Sequence, residues 1–140
     1  MAKHSLKDIP LQEITLRKYE RPVGLEGREL VRRFLLSVGL LQPGESRDII
    51  IDLFELLQSS KGKGLDPSDI LKALGDKRGA SAPNIRRQLR RMKELKLVEK
   101  RQDGYHLCEK FSTIVDTFII PFVVTQSLER LREYSTLLDN

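Results

Sequence analysis

The chain has 140 residues, with 25 Lys and Arg against 20 Asp and Glu, for a formal net charge of +5. At 32% charged and 39% apolar it has the balance of a folded, water-exposed domain and not of a disordered tail, and it is long enough for one real core plus an appended element. A single cysteine, Cys108, excludes a disulfide framework or a cysteine-based metal site within one chain.

Residues 1–22 read as an N-terminal arm. Leu11, Ile14 and Leu16 alternate weakly with polar residues, a faint strand pattern bracketed by Pro10 and Pro22. The start lacks the basic, apolar and small-residue order of a secretion leader. The apolar run Ile114–Val124 is shorter than the roughly 20 residues a bilayer needs, so a cytoplasmic location without membrane contact is expected.

From Glu26 to Val38, Leu30, Val31, Phe34, Leu35 and Val38 recur at helical spacing, with Arg28, Arg32 and Arg33 on the polar side. Gly39 is a stop, and Pro43-Gly44 a turn. The next helix opens on Ser46 as its cap and Asp48 in its first turn. Ile49, Ile50, Leu53, Phe54, Leu56 and Leu57 give it a wide apolar face, ending near Ser59. The basic loop Lys61-Gly62-Lys63-Gly64 follows, without the glycine spacing of a phosphate cradle. Asp66 then caps a short helix with Pro67 in its first position, Asp69 in its first turn, Ile70, Leu71 and Leu74 facing inward, and Gly75 ending it.

Ser81 is the expected cap of the fourth helix, and Pro83 is tolerated because an N–H there has no helical partner. Ile85, Leu89, Met92 and Leu95 draw one apolar stripe. Leu97–Arg101 reads as a strand, Gln102-Asp103-Gly104 as a turn and Tyr105–Cys108 as the return strand; an Asp-Gly pair between such segments is a strong hairpin signal. His106 lies in that strand, far from His4, and reads as structural and not as a ligand. Residues 111–140 read as helical. Thr113 with Asp116 resembles a capping box. Ile114–Val124 is apolar nearly all round, and Pro121 is expected to kink or split the helix by crowding the carbonyl of Thr117. Beyond it, Leu128, Leu131, Leu137 and Leu138 oppose Glu129, Arg130, Arg132 and Glu133.

The excess charge is local. Residues 76–110 hold 11 basic and 5 acidic residues, while the remaining 14 basic and 15 acidic nearly cancel. Clustering of this kind is the electrostatic footprint of a polyanion binder. No nucleophile elbow, nucleotide-phosphate loop or His-Glu-x-x-His pattern occurs, so neither an enzyme nor a metal or other cofactor is expected.

Two stretches, DPSDILKALG and SAPNIRRQLRRMKELKLVEKRQDGYHL, carry the order short helix, turn, basic helix, strand, Asp-Gly hairpin, strand. In that order the segment from about Arg47 to Lys110 resembles the winged helix-turn-helix DNA-binding superfamily. ITLRKYERPVGLEGRELVRRFLLSVGLLQPGESRD looks like the leader of archaeal predicted transcriptional regulators. The resemblance implies a mainly α fold with a small β-hairpin wing, in a domain of residues 23–110 that includes a preceding helix. Residues 111–140 would then supply long C-terminal helices for dimerisation.

Within that frame, Ser81, Asn84, Arg86, Arg87, Gln88, Arg90, Arg91, Lys93, Lys100 and Arg101 are the expected contacts to double-stranded DNA. Asn84, Arg87 and Gln88, near the helix start, are the candidates for reading bases. Arg90, Arg91 and Lys93 are the candidates for phosphates, with Lys100 and Arg101 flanking the wing turn. Tyr105 is expected to pack beneath the wing. A helix apolar all round must be buried all round, so Phe111, Ile114, Val115, Phe118, Ile119, Phe122 and Val123, with parts of Glu26–Val38, are the expected homodimer interface. The competing reading of that segment is a core helix packed on its own domain. The expected function is sequence-specific binding by a dimeric transcriptional regulator. Alternatives are a protein- or RNA-interaction module and a non-specific architectural DNA binder. No effector pocket is identifiable, although the long C-terminal helices could line one.

Overall fold

The computed structural model describes residues 8–45 and 49–140. Among them are five helices and one antiparallel hairpin: α1 (Gly27–Ser37), α2 (Ile49–Ser59), α3 (Pro67–Leu74), α4 (Ala82–Glu94), β1 (Val98–Arg101), β2 (Gly104–Leu107) and α5 (Phe111–Leu138). The protein is mainly helical with a small two-stranded β element. The expected cap at Ser46 and first-turn Asp48 lie outside the described residues.

The arm forms no strand between residues 8 and 22; it is strapped across the end of α1. The Arg17 backbone N–H donates to the Ser37 carbonyl at 3.0 Å, and its guanidinium donates to the carbonyls of Leu36 (2.9 Å) and Leu41 (3.2 Å). These include carbonyls that a helix C-terminus leaves without partners, and a cation there also complements the helix dipole. The crossing is close. Gly39 has φ +78°, and a side chain on it would stand 2.6 Å from the Thr15 Cβ. In α1 the buried side chains are Val31, Leu35 and Leu36, while Leu30 is left 43% exposed.

α2 is the central helix, burying Ile49, Ile50, Ile51, Leu53, Phe54 and Leu57. α3 is closed by a reciprocal cap: Asp66 accepts from the Asp69 N–H at 2.9 Å, and Asp69 accepts from the Asp66 N–H. Ile70 and Leu74 bury its inner face, and Leu71 lies at the core margin. In α4 the expected stripe is buried: Ile85, Leu89 and Met92 each expose 1% or less. The helix ends with Lys96 in the left-handed region (φ 59°), which lets the Leu97 N–H return to the Met92 carbonyl at 3.0 Å.

The hairpin register pairs Val98 with Leu107 and Arg101 with Gly104, so its turn is Gln102-Asp103. Gly104 is therefore not a turn residue. It opens β2 at φ +129°, and a side chain on it would stand 2.6 Å from the Leu65 carbonyl carbon. Leu65 and Tyr105 exchange both backbone hydrogen bonds (3.2 and 2.8 Å), joining the segment before α3 to the hairpin. The glycine is required by this close approach of two backbones.

The last helix departs from expectation in two ways. It begins at Phe111 with no side-chain cap, so Thr113 and Asp116 lie inside it and form no capping box. Pro121 neither splits nor ends it. Instead, Val115–Val124 is wound as π-helix within one continuous helix from Phe111 to Leu138. The wider turn gives the proline ring room beside the preceding carbonyls. At 28 residues α5 is about 42 Å long. By length and composition it is the one described helix able to cross a membrane, but its two halves meet different surroundings. In the first, Ile119 and Val123 are buried within the protein; in the second, Thr125–Leu138 is exposed throughout and carries Glu129, Arg130, Arg132 and Glu133.

Candidate nucleic-acid interface

α4 has three distinct flanks, each with its own 4–3 spacing. Ile85, Leu89 and Met92 face the core. Arg86, Arg90 and Lys93, one position further along, form an exposed basic row, and Arg87 is exposed beside it. Among the described residues none of these four makes an ion pair or side-chain hydrogen bond. Their charge is left to solvent or to a partner.

The third flank consists of Asn84, Gln88 and Arg91, each one position before a core residue. It is used internally. Asn84 donates to the Gly79 carbonyl at 2.8 Å, holding the turn between α3 and α4. Gln88 is 7% exposed; it donates to the Asn84 Oδ1 (3.1 Å) and accepts from Arg91 (2.7 Å). Arg91 also reaches the Gly39 carbonyl at 3.3 Å. Burial, and then the neighbouring Arg87, pull the Arg91 guanidinium below its usual range. Asn84 and Gln88, expected to read bases, and Arg91, expected to meet phosphate, thus have partners within the protein, with Gln88 buried and the other two half-buried. A helix packed on two neighbours buries more than a single apolar stripe, and a polar flank adjoining that stripe faces protein. The repeat of Asn84, Gln88 and Arg91 directly before Ile85, Leu89 and Met92 was the available signal.

The helix start is well defined. Ser81 accepts from the Asn84 N–H at 3.2 Å, so its hydroxyl serves as a cap, although the residue is exposed. The hairpin adds exposed Lys100 and Arg101. Lys100 Nζ lies 5.8 Å from the centre of the Tyr105 ring, and the Tyr105 ring is half-buried, as expected beneath the hairpin. Arg101 is paired with Glu99 on its own strand, both about half exposed, so its charge is partly neutralised. Two further lysines belong to this face. Lys96 and Lys110 line a shallow groove with Lys93, Lys100 and Arg101, the ammonium of Lys96 resting 4.6 Å from the Phe118 ring centre. Lys96 escapes helical spacing because it lies past the end of α4, and Lys110 because it precedes α5.

The expected dimer residues divide. Phe111 stacks on Phe54 (5.3 Å between ring centres) and leans on Phe34 (5.7 Å). Ile114, Val115 and Phe118 pack against the same core, and Ile119 and Val123 are 2% and 0% exposed. Ile119 and Val123 are thus covered within the chain, and the other four are half-buried. Phe122 alone of the seven is substantially exposed, at 50%. The apolar surface that α5 does leave open is Ile120 with Phe122, then Leu128, Leu131, Tyr134, Leu137 and Leu138.

Among the described residues no group of three or more His, Cys, Asp or Glu is gathered as a metal site. No family model matches the chain, and neither a curated protein nor a solved structure matches it significantly.

Proposed function

We propose that the chain is a winged helix-turn-helix protein that binds double-stranded DNA sequence-specifically, as a dimeric cytoplasmic transcriptional regulator and not as an enzyme. The observation that carries this reading is the outer face of α4, where Arg86, Arg87, Arg90 and Lys93 stand exposed and unpaired among the described residues on a helix anchored along its opposite side. On this reading α3 and α4 are the helix-turn-helix and β1–β2 the wing. Arg86 and Arg87, near the start of α4, are the base-reading candidates, since Arg pairs in two-pronged fashion with guanine. Arg90, Lys93, Lys96 and Lys100 contact phosphates.

The dimer is proposed through the exposed second half of α5. Leu128, Leu131 and Leu138 recur on one side of a helix that leaves its own domain. A second copy covers that stripe in a two-fold arrangement.

The test is duplex binding over a salt series, with selection from a random DNA pool. Arg87→Ala together with Arg90→Ala should weaken binding and flatten the salt dependence, with a palindrome enriched by the unaltered protein. Unchanged binding by the double variant would overturn the reading. One observation favours a second reading, non-specific architectural binding: with Asn84 and Gln88 engaged internally, the open face of α4 is almost entirely Arg and Lys. Equal affinity for random and selected duplexes would select it.

A further inference from the structure

A cavity of about 440 Å³ lies between the end of α2, the loop at residues 60–64, the hairpin and the first turn of α5. Its floor is apolar, made by Leu57, Leu107 and Phe111. Its rim is basic: Lys61, Lys63 and Arg101 stand against one lining acid, Glu109. Among the described residues neither lysine makes an ion pair or side-chain hydrogen bond.

The two walls are tied together before any ligand arrives. The Asp103 carboxylate accepts the Gly64 N–H at 2.9 Å and meets His106 Nε2 at 2.7 Å, with His106 only 8% exposed. Leu65 and Tyr105 add two backbone bonds just beyond. The loop carrying Lys61 and Lys63 is thus clamped to the strands carrying Arg101, so part of the ordering cost of binding is already met. The volume lies within the range of small-molecule sites, and an apolar floor beneath a few convergent polar groups is their usual build.

We propose that this cavity binds a small organic phosphate monoester whose apolar body rests on Leu57, Leu107 and Phe111. Lys61, Lys63 and Arg101 hold its phosphate. Counting the Glu99 that pairs with Arg101, three cations less two carboxylates leave one excess positive charge at the rim, carried by the two unpaired lysines and suited to an anion. Inorganic phosphate would leave the floor uncovered, and a neutral apolar molecule would leave the lysines unmatched. The site is separate from the outer face of α4 and stands whether or not that face binds DNA.

The test is a titration of the full-length, ¹⁵N-labelled protein with 1-naphthyl phosphate, followed through its backbone amides. Saturable shifts are expected at Gly62, Gly64 and Leu107. Inorganic phosphate and 1-naphthol should each bind at least roughly tenfold more weakly, as should Lys61→Ala combined with Lys63→Ala, a tenfold loss being about 1.4 kcal/mol. Both lysines are exposed, so the double variant should fold, and its unperturbed spectrum checks this. Arg86→Ala with Arg87→Ala should leave the titration unchanged. The proposal is overturned if no saturable shift occurs, if shifts centre on α4, or if either control ligand binds as tightly as the naphthyl ester.

Discussion

Arg91 and Gly39 are joined across 52 residues of chain: the arginine Nη2 donates to the glycine carbonyl at 3.3 Å. This bond ties α4 to the turn that follows α1, where the arm also crosses. A residue that looks like one more member of a basic cluster is thus part of the frame that holds the cluster outward.

The consequence is a split between neighbours. Arg91→Ala should lower stability by about 1–3 kcal/mol, because it removes a bond to a backbone carbonyl and leaves the buried Gln88 amide short of a partner. Arg87→Ala should change stability by no more than about 0.5 kcal/mol, as an exposed residue without a partner. Urea denaturation of the two variants measures the difference; equal losses would remove the distinction between frame and face.

Gly104→Ala should be among the most damaging single changes in the hairpin. A side chain there meets the Leu65 backbone at 2.6–2.8 Å and must adopt φ +129°. Strain of the second kind alone costs about 1–3 kcal/mol, and the clash adds to it. Gln102→Ala, in the adjacent exposed turn, should be nearly neutral. Thermal melts of both variants decide whether Gly104 serves the approach to Leu65 or merely the turn.

Asp103 gives the hairpin clamp a pH dependence. The hydrogen bond from His106, and then that from the Gly64 N–H, hold its carboxyl below the ordinary value of 3.8. A group depressed in the folded state stabilises above its unfolded pKa, and that contribution is lost as pH falls through the folded value. Stability from this source should therefore be complete at neutral pH and decline below about pH 4. Asp103→Asn should lose it at neutral pH and flatten the acid limb of the stability curve. An unaltered acid limb in Asp103→Asn would show that the clamp contributes nothing.

The two halves of α5 should respond oppositely to substitution. Ile119→Ala empties a core position and should cost about 2–4 kcal/mol of stability, with the association state retained at protein concentrations where the domain stays folded. Leu128→Glu with Leu131→Glu changes exposed residues. It should leave the fold intact and, on the proposed dimeric reading, give a monomer in sedimentation equilibrium where the unaltered protein gives a dimer. Retention of the dimer would move the interface off this stripe.

Local spacing determines much of this protein without reference to the tertiary structure. The Asp66–Asp69 cap, the Ile85–Leu89–Met92 stripe, the stop at Gly39 and the hairpin after α4 each depend on residues a few positions apart, and backbone geometry acts at that range. The concentration of charge in residues 76–110 is equally a property of the chain alone. Tertiary structure decided how much of each helix was covered. Asn84, Gln88 and Arg91 found partners within the protein because α4 rests against the turns at Gly39 and Gly79, contacts reaching as far as 52 residues along the chain. Phe111 was covered by Phe34 of α1 and Phe54 of α2, and Ile119 and Val123 were buried, while Ile120 and Phe122 between them stayed open. The second half of α5 stayed bare because the domain ends before it does. Burial is set by what lies opposite a side chain, and periodicity along one helix describes only the helix.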